Sequence, residues 1–136
     1  ALKKTITVTP DTYFCKVEDE YVFSGEKGEE LEVAAGIFLH PAQETVESEY
    51  VTDNVYAIWE HASDQSVEPE DGMIGVAVYC PEAMNVRKTD DGTHGLCCKT
   101  IKSGETFTYY FGSCWSKGDI TCDQDWFDTI VKTFSL

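Results

Sequence analysis

The sequence predicts an all-β fold, an antiparallel sandwich that carries one α-helix at its C-terminus. Three observations support this prediction. Apolar and polar residues alternate over short segments along most of the chain, polar stretches with glycine or proline separate these segments, and helical spacing of apolar residues occurs only near the end. A length of 136 residues suits one domain, so residues 1–136 are treated as a single sandwich-like domain.

The first half of the chain contains three predicted strands. Thr5–Thr9 reads TITVT, with period two, and Phe14–Phe23 places apolar and charged residues on opposite faces. Leu31–Leu39 alternates in the same way, and Pro41 ends it. The polar segment Ser24–Glu30 contains glycine, which is typical of a hairpin loop.

The middle of the chain repeats this pattern. Val55–His61 is a short strand, and Met73–Cys80 is apolar on both faces, which predicts a central buried strand. The acidic stretch Ser63–Asp71 is predicted as a loop between them, and Val86–Asp91 as a segment that crosses the surface.

Two further strands precede the helix. Thr93–Ile101 and Glu105–Trp115 flank residues 102–104, Lys-Ser-Gly, and this spacing predicts a hairpin. The second strand belongs to the aromatic-rich segment Thr106–Phe127. Alternation within it assigns three aromatic side chains to the core, namely Phe107, Tyr109 and Phe111.

The C-terminal segment has the spacing of an amphipathic helix. Residues 121–124, Thr-Cys-Asp-Gln, match the capping-box pattern, with Thr121 as the N-cap. Acidic residues in the first turn and Lys132 in the last agree with the helix dipole. The apolar positions of this helix are Trp126, Phe127, Ile130, Val131 and Phe134.

The formal charge of −15 excludes some classes of partner. Affinity for nucleic acid depends on cationic groups that displace phosphate counterions, so we expect no nucleic-acid partner. No stretch approaches the roughly 20 apolar residues of a membrane helix, so no membrane span is expected. We propose no metal site and no cofactor, apart from adventitious calcium on the carboxylates of Ser63–Asp71.

Six cysteines leave the redox state open. The even number fits a disulfide framework, whereas their position within apolar strands fits buried thiols. No Cys-x-x-Cys spacing occurs, which argues against zinc. Cys114 and Cys122 bracket a turn and are the first pair to test for a disulfide.

Several motifs together resemble one family, the domain of unknown function 4861 family of secreted bacterial polysaccharide-utilisation proteins. The motifs are GIFLHP at 36–41, VYAIWEH at 55–61, GMIGVAVYCP at 72–81, FTYYFGSCWSKGD at 107–119 and DWF at 125–127. The chain resembles the C-terminal part of these longer proteins. The resemblance implies a supersandwich like that of galactose mutarotase and many polysaccharide lyases, of which this chain would form about half.

A half-sandwich would expose an apolar sheet face, which soluble proteins seldom do. The chain is therefore either a fragment or a minimal domain that closes on itself, and we expect the exposed face to be covered by a homodimer or by a missing partner segment. The resemblance also implies secreted or periplasmic localisation.

Two residues are the candidates for catalysis. His40 stands at the end of a strand, where it could act as a base or hold a sugar hydroxyl, although a surface role is equally consistent with its position. Glu60 lies within an apolar strand, and burial raises the pKa of a carboxyl. Glu60 and His61 are adjacent on a strand and point to opposite faces, so they do not form a pair.

Four residues are the candidates for binding a sugar, because a flat aromatic ring suits the apolar face of a pyranose. Tyr110 lies opposite the predicted core face of its strand, and Trp59 adjoins Glu60. Trp115 and Lys117 follow a glycine and could bind a hexuronate by stacking and charge.

The first functional hypothesis is thus a carbohydrate-active secreted domain, part of a glycoside hydrolase or lyase that acts on an acidic plant polysaccharide. The alternatives are a noncatalytic carbohydrate-binding module and a structural β-sandwich module. The aromatic residues and the two catalytic candidates come from the residues themselves, and the class of substrate comes from the resemblance.

Overall fold

The computed structural model describes residues 1–24, 28–40, 46–62 and 68–136. Nine strands and one α-helix occur in these ranges, together with a short 3-10 helix at Pro69–Asp71. The strands are β1 (Leu2–Val8), β2 (Phe14–Tyr21), β3 (Glu30–Phe38), β4 (Val46–Val51), β5 (Val55–His61), β6 (Met73–Tyr79), β7 (Asn85–Lys88), β8 (His94–Lys102) and β9 (Thr106–Trp115). The helix α1 spans Asp123–Phe134.

The strands form two antiparallel sheets. The larger has the order β1-β2-β9-β6-β5-β4, and the smaller has the order β3-β8-β7. The smaller sheet packs on one face of the larger, here called the front face, and α1 packs on the back face. The predicted all-β sandwich with a C-terminal helix is therefore confirmed.

Each interface has its own apolar core. Between the sheets, side chains such as Val33, Ile58 and Phe107 are buried. Behind the larger sheet, Trp126 and Ile130 of α1 are fully buried against it. β6 contributes to both cores, Val78 to the front and Ala77 to the back, because it is a central strand between β5 and β9. The predicted central position of β6 is confirmed, but its front face is only partly buried, since Ile74 and Val76 are half-buried.

The predicted hairpin around residues 102–104 is wrong. β8 belongs to the smaller sheet and β9 to the larger, so the turn carries the chain from one sheet to the other. Gly104 adopts a positive φ of 87° there, and its N–H donates to the Tyr21 carbonyl on β2. The turn residues favour a tight reversal, but they do not determine which strand the second strand pairs with.

Two strand assignments also differ from the prediction. Residues 85–88 do not simply cross the surface: they form β7, which pairs with β8 at the edge of the smaller sheet. β4 had no predicted counterpart, because its sequence, VESEYV, is largely polar. Pairing with β5 nevertheless places it at the edge of the larger sheet, where polar residues are tolerated.

The helix begins one residue later than the capping box predicted. Cys122 is the N-cap, and its side chain makes no capping hydrogen bond. Asp123 instead accepts from the Gln124 N–H and from the Ser48 hydroxyl on β4, at 2.8 Å in both cases. The acidic first turn and Lys132 in the last turn agree with the prediction.

All six cysteines are free thiols in the structure, and Cys114 and Cys122 form no disulfide. Cys80, Cys97 and Cys98 are fully buried, as expected for thiols that act as small apolar side chains. A thiol–thiol hydrogen bond with Cys97, together with burial, raises the pKa of Cys80. Burial also raises the pKa of Cys114, to about 11, so neither thiol is a ready nucleophile.

Parts of the predicted loops at 24–30 and 63–71 lie outside the described residues, as does Pro41. Within the described ranges, no helix combines the length and the apolar character that a membrane crossing requires.

Gly75 provides a test of the packing behind the larger sheet. A Cβ at this position would lie 2.7 Å from the Trp126 ring and 2.7 Å from the Cys114 sulfur. We expect Gly75→Ala to lower the free energy of unfolding by about 1–3 kcal/mol, because overpacking displaces the ring. Urea denaturation followed by circular dichroism measures this.

In a Trp126→Leu background, the same substitution should cost less, because the smaller side chain makes room for the methyl group. Equal losses in both backgrounds would show that Trp126 is not the obstacle.

Candidate functional site

A groove of about 710 Å³ opens on the front face of the larger sheet. Its floor consists of parts of β6 and β9, including Val76 and Phe111. Its wall is β3 from Ala34 to Phe38, which is an edge strand of the smaller sheet. The groove exists because three strands cannot cover a six-stranded face, and the polar side chains His40 and Glu60 lie among its lining residues.

The register of the larger sheet aligns the functional candidates. Glu60 on β5 pairs with Ile74 on β6, and Ile74 pairs with Trp115 on β9. Paired residues point to the same face, so these three side chains form one row across the front face. Strands lie roughly 4.8 Å apart, which separates the Cα atoms of Glu60 and Trp115 by about 10 Å.

His40 Nδ1 and Glu60 Oε1 lie 2.8 Å apart. The Glu60 side chain is only 1% exposed and that of His40 13%, so the pair is largely shielded from solvent. With the ring proton on Nδ1, the nitrogen beside the carboxylate, Nε2 is the basic nitrogen of the neutral ring. A carboxylate that orients an imidazole in this way also stabilises the imidazolium formed when the ring accepts a proton.

The backbone of His40 is unusual. Its φ is +49°, in the left-handed region that non-glycine residues rarely adopt. The imidazole also packs edge-on against the Phe38 ring, with centroids 4.7 Å apart. The left-handed residue directs the side chain from the end of β3 toward β5 of the other sheet, and backbone strain of this kind is frequent at functional sites.

Trp115 and Lys117 form a second exposed feature at the end of β9. The Trp115 side chain is 49% exposed, and its indole N–H donates to the Asp71 carbonyl at 2.7 Å. The Lys117 ammonium lies 5.5 Å from the centroid of the Trp115 ring. The hydrogen bond holds the indole in place, and the ammonium lies over one of the two faces of the ring.

Two of the predicted binding residues face the back of the larger sheet, away from the groove. Trp59 is only 5% exposed and belongs to the core behind the sheet, so its ring is not available for stacking on a sugar. Tyr110 also faces the back, where its ring lies 5.1 Å from that of Phe134 in α1, but it is only half-buried. Alternation along β5 and β9 determines both orientations, and neither ring lies beside His40 and Glu60.

Three residues on the other face of β9 are predicted core residues, namely Phe107, Tyr109 and Phe111, but only Phe107 is fully buried. Phe107 is buried beneath the smaller sheet. Tyr109 lines the groove, and Phe111 is 43% exposed at its floor. Sequence alternation correctly places the three side chains on one face. It does not show how far along β9 the smaller sheet covers that face.

A polar cluster of Lys4, Asp19 and Tyr109 adjoins the groove at the end remote from His40, and Tyr109 is the member that lines it. The Lys4 ammonium on β1 lies 2.7 Å from the Asp19 carboxylate on β2 and 2.9 Å from the Tyr109 hydroxyl. Burial works to lower the pKa of Lys4, but the hydrogen bonds to Asp19 and Tyr109 outweigh it, and the pKa is raised. Lys4 therefore carries a positive charge throughout the physiological range of pH.

Across the described ranges, no group of three His, Cys, Asp or Glu side chains has the arrangement of a metal site. Within the same part of the chain, Glu60 is the single carboxylate that lines the groove.

Comparison with known protein families identifies the family of this chain. The model of a family described as a domain of unknown function, DUF4861, matches residues 1–135. The chain therefore belongs to the DUF4861 family. Searches among curated proteins and among solved structures found no match.

The pairing of His40 with Glu60 can be tested through stability. His40→Asn retains a residue that tolerates the left-handed backbone but removes the imidazole from the buried carboxylate. We expect the free energy of unfolding to fall by about 1–3 kcal/mol. The additional change Glu60→Gln should recover part of this loss, because a buried amide costs less than a buried charge.

Chemical denaturation of the two single variants and the double variant gives the coupling energy. His94→Asn is a matched control, since the His94 ring also contacts Phe38, at 5.3 Å, but is exposed. Strictly additive losses for His40 and Glu60 would contradict the pairing.

Proposed function

We propose that this chain is a carbohydrate-active, secreted or periplasmic domain that cleaves an acidic polysaccharide by β-elimination. The observation that carries the proposal is the shielded pair of His40 and Glu60, 2.8 Å apart at the groove. A neutral imidazole oriented by a carboxylate is suited to removing a proton from carbon at a pH near neutrality.

Elimination fits the lining of the groove better than hydrolysis does. Glycoside hydrolases use two carboxyl groups, about 5 Å apart or about 6.5–9.5 Å apart. The described lining of the groove contributes one, Glu60. A lyase requires instead a base that removes the proton α to the carboxylate of a uronate, and that role suits His40.

The proposed reaction conserves protons. His40 Nε2 accepts the proton from the carbon next to the uronate carboxylate, and Glu60 stabilises the imidazolium that forms. A carbon–carbon double bond forms as the bond from the β-carbon to the glycosidic oxygen breaks. The imidazolium then returns the proton to the departing oxygen, which regenerates neutral His40.

Trp115 and Lys117 would bind a neighbouring sugar of the same chain. The ring is exposed, and it lies in the same row as Glu60, about 10 Å away across the sheet. Stacking on the indole would orient the pyranose, and the Lys117 ammonium, 5.5 Å from the ring centroid, would attract its carboxylate. The chain as a whole carries a formal charge of −15, which repels an acidic ligand, so a local positive charge is needed to attract the carboxylate.

The catalytic role predicts a loss of turnover without a loss of binding. Incubation with pectic oligosaccharides should give an unsaturated product that absorbs ultraviolet light. We expect His40→Asn and Glu60→Gln each to lower kcat by about 100-fold or more, because general base catalysis contributes this much. His94→Asn should retain full activity, and so should Tyr110→Phe on the back of the sheet. Undiminished turnover in both site variants would refute the assignment.

A noncatalytic binding module is a second candidate, favoured by the exposure of Trp115 at a fixed orientation. Both candidates predict that Trp115→Ala weakens retention on immobilised or gel-embedded acidic polysaccharide by about tenfold, since stacking and burial of an aromatic ring contribute on the order of 1–2 kcal/mol.

Affinity electrophoresis measures this retention, with Tyr13→Ala, an exposed aromatic residue outside the groove lining, as the control. Retention without any product from the wild-type chain would select the binding module. Unchanged retention in Trp115→Ala would exclude this ring from the binding surface.

A further inference from the structure

We propose that Lys4 and Tyr109 form a second subsite, at the end of the groove opposite His40 and Glu60, which binds a carboxylate or hydroxyl group of the same sugar chain. This inference rests on the proposed function. It adds a statement about how long a substrate the groove binds. It identifies the ligand as an oligosaccharide that spans the groove, so that units remote from the reacting bond also contribute to affinity.

Continuity of the groove is the first step. Its lining includes Tyr109 as well as His40 and Glu60, so the two polar ends open into one space. On β9, the row that contains Glu60 ends at Trp115, six residues beyond Tyr109. At roughly 3.4 Å per residue this separation is about 20 Å along the strand, which exceeds the length of a single sugar ring.

The chemistry of the Lys4 ammonium is the second step. It donates to Asp19 Oδ2 and to the Tyr109 hydroxyl, at 2.7 Å and 2.9 Å, and an ammonium has three N–H donors. The Lys4 side chain is 40% exposed, so the remaining donor is accessible to a ligand. The Tyr109 hydroxyl, which accepts from Lys4, can donate its own hydrogen to the same ligand.

The burial of Asp19 is the third step. Its side chain is 4% exposed, and it anchors Lys4 from β2, beneath the surface. The other carboxylate oxygen, Oδ1, is buried and accepts no hydrogen bond from the described residues. Buried acceptors without a donor are rare in folded proteins, and this one indicates that the cluster is not arranged for stability alone.

The three groups lie on different strands, and the sheet register brings them together. Lys4 pairs with Asp19, and Asp19 pairs with Phe107, two residues before Tyr109 on the same face of β9. Lys3, in contrast, points to the opposite face of β1, because side chains alternate along a strand. Lys3 is therefore a matched control, with the same charge on the same strand but outside the groove.

The test measures affinity as a function of ligand length. Isothermal titration calorimetry with a series of oligogalacturonides, from dimer to hexamer, uses the His40→Asn background to prevent turnover. Tyr109→Phe and the double change Lys4→Met/Asp19→Asn remove the subsite, and the double change avoids leaving a buried carboxylate without its cation. We expect each to weaken binding of the longest ligand by about tenfold and to leave the dimer unaffected.

Each result distinguishes the two proposals. Loss of affinity for long ligands alone, with Lys3→Met unchanged, supports the subsite. Equal effects on all lengths, or no effect on any, would overturn it while the proposed function stands. If the parent protein binds none of the oligogalacturonides, both proposals fail. Tyr109→Phe decides the outcome if the double variant shows an altered circular dichroism spectrum, because it retains the ion pair of Lys4 and Asp19.

Discussion

The packing of Trp126 against the back of the larger sheet is the interaction on which the rest of the structure depends. The side chain is fully buried, its ring stacks on Phe14 at a centroid distance of 5.6 Å, and it occupies the space that a side chain at Gly75 would need. It thereby attaches α1 to β2 and β6 together. The helix packs on the back face, and both the smaller sheet and the groove lie on the front.

Much of this fold could be predicted from the sequence, because alternation reports which residues share a face. Val55–His61 was predicted with its observed bounds, and the central position of β6 follows from apolar residues on both faces. Alternation does not show which strands pair with each other. Residues 102–104 would suit a hairpin and a crossing between sheets equally well, since a turn determines only the local reversal, and β4 is too polar for alternation to identify it.

For the site, too, the sequence predicts the individual residues better than the contacts between them. His40 and Glu60 were each identified as candidates from local context, but their contact depends on how β3 and β5 of different sheets face each other, which no local pattern encodes. Trp115 and Lys117 remain exposed as the sequence suggested. Tyr110 faces the back of the larger sheet and Tyr109 faces the groove, and alternation separates these two faces without showing which of them is covered along the whole strand.

The position of β9 within the larger sheet has a consequence for how the chain folds. Although β9 follows the other described strands in the chain, it lies between β2 and β6 and separates the β1–β2 hairpin from β4–β6. Until β9 is inserted, β2 and β6 present unpaired edges, and contacts of such long sequence separation form slowly. A chain in which β9 has not yet paired therefore exposes two strand edges of the kind that promote aggregation.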